Sequence, residues 1–276
     1  MLLAHLSDLH AFTLDGARPW HWLTKRTAGY VNLLLNRRDK HPLRLFEAAM
    51  ADLNRRPVDE VVVTGDLTSL SLPGEFRLAR GFLDRLTLGN QHVTLVPGNH
   101  DVYTLDAMWS RPFAEAFAPY VTSDSGRAGY PLLRRRGELS IVGLSTARPS
   151  PVPLADGWVG ASQLAALEEM LDAERGHFRV VLLHHPPNTN RHSILRGLRD
   201  RGALQKVLAR VGCELVLHGH EHRDVRTELR GPDGAIPVIG VASGTYADER
   251  ADRRARYNVY RIEGGKLVDV ETRLLG

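Results

Sequence analysis

The chain has one cysteine, Cys213, among 276 residues. An intrachain disulfide is excluded, and a reducing cytosol is the natural setting. Cys213 precedes a strand-like run and reads as a buried structural residue. Lysine is nearly as scarce: Lys25, Lys40, Lys206 and Lys266 are the only four, and arginine carries the rest of a net charge of only +4. That surplus is too small to argue for a nucleic-acid groove. No apolar stretch is long enough to cross a bilayer. No signal peptide is expected, because cleavage near the N-terminus would remove Asp8 and His10. Repeats and low-complexity segments are absent. A composition of 43% hydrophobic and 25% charged residues is ordinary for a globular protein, and this length suits one large domain over 1–276.

What is abundant is histidine, thirteen in all. Several fall in five short motifs, each directly after an apolar run. They are Asp8-Leu9-His10, Gly65-Asp66, Gly98-Asn99-His100-Asp101, His184-His185 and Gly219-His220-Glu221-His222. Each run reads as a buried strand, over 1–7, 59–64, 92–96, 179–183 and 214–218. Helical spacing is expected over 43–55, from Pro73 onward, over 104–118, 160–173 and 200–211. A loop or hairpin is expected over 122–137 and a strand over 139–144. The tail alternates as strands over 235–241, 256–262 and 266–273, with Gly264-Gly265 as a hairpin turn. Strands alternating with helices imply an α/β chain with a parallel or mixed sheet, and the strand-rich tail implies a second sheet. Ligands in such sheets bind beyond the carboxyl ends of strands, where the motifs lie.

The motif residues suit a metal. In an extended segment Asp8 and His10 point the same way, as do His220 and His222. The two oxygens of Asp66 accept separately and can bridge two cations. Asn99 offers an amide oxygen. His100 is a proton donor, and Asp101 is expected to hold one nitrogen of its ring. At least one of His184 and His185 is a candidate ligand. His5 and His218, inside strands, read as packed histidines.

In order and combination, the motifs resemble the calcineurin-like metallophosphoesterase superfamily, from residue 4 to about 223. The resemblance implies a four-layer α/β (α+β) fold, two mixed sheets packed as a sandwich and flanked by helices. It implies two divalent ions, one on Asp8, His10, Asp66 and His222, the other on Asp66, Asn99, His184 and His220. It makes His100 and Asp101 the catalytic pair. Oxygen and imidazole donors suit Mn²⁺, with Fe, Zn, Mg or Co as other occupants. Two ions about 3.5–4 Å apart clamp an in-line displacement at phosphorus by an activated water. A protonated His100 stabilises charge or protonates the leaving oxygen. The implied enzyme is a hydrolase of phosphoric esters, a phosphodiesterase or pyrophosphatase.

Residues 16–42 interrupt the pattern as an insert. Trp20, Leu23, Val31, Leu34 and Leu35 fall near helical spacing, among Lys25, Arg26, Arg37, Arg38 and Lys40. Such a segment caps the site over an acyl chain, lies on a membrane surface, or packs on the core. With Tyr30 and Asn32, the residues Lys25, Arg26, Arg37 and Arg38 are candidates for substrate binding or a lid. The Lys-Arg-x-x-Gly-Tyr-x-Asn pattern (Lys25, Arg26, Gly29, Tyr30, Asn32), with Arg37, Arg38 and His41 downstream, is similar to the branch containing a UDP-2,3-diacylglucosamine pyrophosphatase of lipid A synthesis. That branch implies a lipid-linked substrate; for such a substrate the insert, with the Trp109–Tyr120 region, is expected to form an apolar lid, with peripheral contact at the inner membrane surface. A cyclic-nucleotide phosphodiesterase shares the motifs but leaves the insert unexplained. A non-catalytic metal-binding scaffold or a nuclease fits less well, since all ligand positions are filled and no extended basic groove is seen.

Overall fold

A computed structural model describes residues 1–36, 40–188 and 193–276. Among the described residues, eleven strands form two mixed sheets. The first has the order β11-β10-β1-β2-β3, from β1 (Leu2–Leu6), β2 (Glu60–Val63), β3 (Val93–Leu95), β10 (Arg256–Glu263) and β11 (Lys266–Leu274). The second runs β4-β5-β6-β7-β9-β8, from β4 (Leu132–Arg136), β5 (Leu139–Gly143), β6 (Phe178–Leu182), β7 (Leu215–His218), β8 (Val225–Arg230) and β9 (Ala235–Gly240). The helices are α1 (Arg26–Asn36), α2 (Leu43–Leu53), α3 (Pro73–Leu83), α4 (Leu105–Ser110), α5 (Pro112–Ala116), α6 (Ala161–Ala173), α7 (Ser193–Arg196) and α8 (Arg201–Val211).

Three apolar layers hold the stack together. Leu3 and Val62 of the first sheet meet Ile141, Val180, Leu182 and Leu217 of the second. Their sequence neighbours Ala4, Leu6, Val61 and Val63 face the other way, against Phe46 and Met50 of α2 and Phe76 and Phe82 of α3. On the far side, Val181 and Val216 pack with Leu167 and Leu171 of α6 and Leu204 and Leu208 of α8. Strands buried on both faces need apolar side chains at every position, which is why they read as continuous runs rather than alternations.

The sheets are not divided as expected. The tail builds no sheet of its own: β8 and β9 extend the second sheet, while β10 and β11 complete the first. The open edge of β1 needs a partner, and β10 supplies it antiparallel, with Ala4 opposite Val259. The hairpin turn at Gly264-Gly265 has φ of 56° and 70°, both left-handed. The helix expected over 104–118 breaks at Arg111, whose φ is 49°. Pro112 disfavours helical backbone in the residue before it and starts the next helix instead. β4 lies within the segment expected as loop or hairpin, and β8 was not anticipated, because its residues are largely exposed and charged.

The insert does not pack its apolar stripe on the core. Leu23 is 87% exposed and Leu35 76%, and Trp20, Val31 and Leu34 are also exposed. The second half of the expected lid goes the other way: Phe113, Phe117 and Tyr120 are core residues, and of its aromatic residues only Trp109 at its start is exposed. Among the described residues no helix is long and apolar enough to cross a membrane.

Candidate metal centre

All five motifs lie just past the carboxyl ends of β1, β2, β3, β6 and β7. β1, β2 and β3 are neighbours in one sheet, β6 and β7 in the other, so two loop clusters meet at one end of the sandwich. The backbone there is not extended. Asp8, His10, Asp66, His220 and His222 have φ of 54°, 46°, 53°, 73° and 50°. Side chains two apart thus converge through left-handed turns rather than through strand alternation. Each such residue costs on the order of 1 kcal/mol or more, so the surroundings must impose it. Asp8 N donates to Gly65 O and His10 N to Asp66 O, both at 2.9 Å. Ser243 Oγ donates to Asp8 O at 2.6 Å. Glycines permit the close approach: a Cβ on Gly98 would run into Asp66 Oδ1, and one on Gly219 into Ser7 Oγ and Asp8 Oδ2.

The donor atoms form two groups that share one oxygen. In the first, His222 Nε2 lies 3.2 Å from Asp8 Oδ1 and 3.0 Å from His10 Nε2. In the second, His184 Nε2 lies 3.2 Å from both Asn99 Oδ1 and His220 Nδ1. Asp66 Oδ2 stands between them, 3.9 Å from His10 Nε2 and 3.4 Å from His184 Nε2. Its other oxygen accepts the His100 backbone N–H at 2.8 Å. One carboxylate oxygen therefore faces both groups, where two separate oxygens were expected to share the work. His184 is the member of its pair that points here. His185 turns away, to Thr146 Oγ1 at 2.8 Å.

These residues fit divalent ions. Ligands roughly 2.1 Å from an ion stand roughly 3 Å from one another, and the spacings above match. Asp8 Oδ1 is buried with no hydrogen-bond partner among the described residues, a costly arrangement in the absence of a cation. His184 Nδ1 donates to the Thr64 carbonyl at 2.7 Å, which leaves Nε2 as the donor to a metal when the ring is neutral. Burial alone would lower the pKa of His184, but the charges of Asp66 and Asp8 outweigh it and raise it to about 9. Burial likewise opposes ionisation of Asp8 and Asp66, yet the neighbouring imidazoles hold both below the usual carboxylate range. The pocket is thus built to attract positive charge.

Asp101 does not take its expected place. His100 Nδ1 meets the Ser69 carbonyl at 2.6 Å. The Asp101 carboxylate accepts instead from the backbone N–H groups of Gly98, Leu67 and Thr68 and from Thr68 Oγ1. A carboxylate at the start of a turn finds backbone donors nearer than a side-chain ring. Asp101 therefore fastens the loop after β3 to the loop after β2.

Arg26 is also misplaced by sequence reasoning. It is buried at 1% exposure, away from the pocket. Its Nε donates to Leu70 O at 2.8 Å, Nη2 to Ser71 O at 3.1 Å, and Nη1 pairs with Asp106 at 2.8 Å. Glu75 Oε2 accepts from Leu70 N and Leu72 N in the same loop. Arg26 thus anchors the insert to the loop that presents the Ser69 carbonyl to His100. Arg26→Met is expected to cost on the order of 2–4 kcal/mol by stranding two carbonyls. Urea denaturation measures it; a midpoint equal to that of the wild type would refute the anchoring.

A cavity of about 290 Å³ opens over the donor groups, lined by Asp66, Asn99, His100, His220 and His222 on one side and by Lys25, Asn32, Tyr103 and Arg196 on another. Two of the six insert candidates, Lys25 and Asn32, line it. Tyr30 packs instead between Phe12 and Trp22, and Arg37 and Arg38 lie outside the described residues. Lys25 Nζ donates to Ser150 O at 2.8 Å and lies 4.0 Å from the Tyr103 ring, which stacks on His100. Burial lowers the Lys25 pKa to about 8. Ser69, Ser243, Thr245 and Arg196 were missed from sequence. The Ser243 and Thr245 segment follows β9, a sixth strand ending at the same edge, and that position was its one legible signal.

The sequence profile of the calcineurin-like phosphoesterase family matches residues 1–224. A glycerophosphodiester phosphodiesterase from Enterobacter lignolyticus is 28% identical over 267 residues, covering 94% of this chain and 84% of that protein. A dimetal phosphatase from Danio rerio superposes with a TM-score of 0.67 at 14% identity, covering 100% of this chain and 96% of the other. A purple acid phosphatase from yellow lupin seeds gives 0.58 at 11% identity, over 99% of this chain and 53% of that one. At such identities the two structures speak for the two-sheet fold alone. The profile spans most of the sequence, and with it the chain belongs to the calcineurin-like phosphoesterase family, as a metal-dependent hydrolase of phosphoric esters.

Proposed function

We propose that the chain is a phosphodiesterase acting on a small-molecule diester, with one ion on Asp8, His10, Asp66 and His222 and a second on Asp66, Asn99, His184 and His220. The observation that carries this reading is the pair of donor groups sharing Asp66 Oδ2 beneath one pocket. When bound, the ions supply Lewis acidity to phosphoryl oxygens and lower the pKa of a water. Mn²⁺ suits the oxygen and imidazole set best in this reading. His100 holds its Nδ1 on the Ser69 carbonyl, which fixes Nε2 as the nitrogen that passes a proton to the leaving oxygen. Lys25 and Arg196 place positive charge where the substrate enters. The likeness to a glycerophosphodiester phosphodiesterase, over 94% of this chain and 84% of that protein, favours a diester over a monoester.

In this reading residues 1–276 are one domain, and the insert at 16–42 is its cap. A lipid-linked pyrophosphate, as in the UDP-2,3-diacylglucosamine branch, is the second reading. A mostly apolar cavity of about 510 Å³, lined by Leu105, Pro149 and Pro151, adjoins the first and shares Lys25 and Tyr103 with it. The exposed Leu23 and Leu35 would then meet the inner membrane surface of a cytoplasmic protein. A substrate panel separates the two, run with Mn²⁺ and with Mg²⁺: glycerophosphodiesters, bis(p-nitrophenyl) phosphate, p-nitrophenyl phosphate, cyclic AMP, UDP-diacylglucosamine and single-stranded DNA. Diesters are expected to turn over at least about tenfold faster than the monoester, a modest margin in barrier height. A preference for the monoester would overturn the first reading, and cleavage of UDP-diacylglucosamine alone would establish the second.

A further inference from the structure

The insert ends beside the donor groups, and its last residues are fastened there. Lys40 O accepts the Ala247 backbone N–H at 2.8 Å. One residue on, His41 Nδ1 lies 2.9 Å from Thr245 Oγ1. The Thr245 hydroxyl has one proton, and that proton goes to Leu9 O at 2.9 Å. Thr245 Oγ1 is therefore the acceptor, and His41 carries its proton on Nδ1. That tautomer puts a lone pair on Nε2, the form in which a histidine coordinates metal when its other nitrogen is held by a neighbour.

The position matches the chemistry. One ligand atom each from His10, His41 and His222 fall within 4.8 Å of one another. The His41 ring centroid is 4.6 Å from that of His10 and 5.6 Å from that of His222, with the rings near perpendicular to His222 at 89°. Tyr246 packs against both His41 and His222, at 5.2 and 5.8 Å. The loop after β9 therefore fixes His41 through Thr245 while holding Leu9 O between the two ligand candidates Asp8 and His10.

We propose that His41 is a further ligand, through Nε2, to the divalent ion assigned to Asp8, His10, Asp66 and His222. The inference rests on that assignment. It makes one of the two ions depend on the insert, so that the cap and the metal centre are built together. A first-row ion that favours imidazole, such as Fe²⁺ or Zn²⁺, would gain most from it.

The test uses the metal-free full-length protein. Calorimetric titration with Mn²⁺ is expected to show two binding steps. In both His41→Ala and His41→Gln one step should weaken by about 10–100-fold, the range seen when groups supporting a metal are lost, and the other should stay put. In Co²⁺-loaded protein each variant should show one fewer paramagnetically shifted imidazole N–H signal than the wild type. Metal-free melting curves matching the wild type confirm that the variants fold. Two unchanged binding steps, or a weakened step with every shifted signal retained, would overturn the proposal. His222→Ala and His184→Ala are the controls: each should lose one step. If they do not, the ligand assignment itself has failed, which is distinct from failure at His41 alone.

Discussion

Asp66→Asn is expected to lose both ions and at least about a thousandfold in turnover, since removal of a two-ion clamp forfeits several kcal/mol of transition-state stabilisation. Asp66 Oδ2 is the single atom common to the two donor groups, at 3.9 Å from His10 Nε2 and 3.4 Å from His184 Nε2. Oδ1 is occupied by the His100 N–H. An asparagine keeps the shape but halves the acceptors. If its oxygen stays on His100 N, its NH₂ group faces both sites and repels cations. If it flips, the loop after β3 loses the hydrogen bond that places His100. Either way, metal analysis after desalting should fall from about two ions per chain to less than one. A variant that kept both ions would remove Asp66 from the shared position. No other candidate ligand is assigned to both ions, so none should have this double effect.

His100→Asn is expected to leave both ions bound and to lower kcat by about 10²–10⁴, the usual range for a positioned acid. The loss should depend on the leaving group. An alkoxide needs a proton as the bond to phosphorus breaks, whereas p-nitrophenolate leaves without one. The deficit should therefore be large for glycerophosphodiesters and below about tenfold for bis(p-nitrophenyl) phosphate. Equal deficits on both substrates would mean that His100 binds the phosphoryl group rather than passing a proton. Asp101 supplies a contrast, because its carboxylate holds backbone N–H groups of Gly98, Leu67 and Thr68 and not the His100 ring. Asp101→Asn should destabilise the two loops together without the leaving-group dependence of His100→Asn.

The donor residues were legible because the strands are. Val61-Val62-Val63 and Leu215-Val216-Leu217 are buried on both faces, so each reads as an unbroken apolar run with a sharp polar end. Asp66 and His220 follow those ends by a fixed short distance, and no knowledge of the fold is needed to place them on one edge. Their backbone could not be read. The left-handed φ at Asp8 and His10 is held by backbone N–H bonds donated to the Gly65 and Asp66 carbonyls and by the Ser243 hydroxyl, which are remote in sequence. Arg26 shows the same limit from the other side. Beside Lys25 in a basic stretch it looks like a substrate contact, yet it is buried because two carbonyls of the 70–71 turn require a donor.

By itself, then, the sequence determined the reaction class: the side chains that can coordinate and transfer protons are local, and their spacing from the strand ends is covalent. The tertiary structure decided what depends on distant partners. It chose Ser69 over Asp101 for the His100 ring, gave β10 to the first sheet, and left Leu23 and Leu35 of the insert outside the core. It also brought His41 beside His10 and His222. Hydrogen bonds and packing are settled by which groups meet in space, and 212 residues separate His10 from His222 along the chain while 3.0 Å separates their nitrogens.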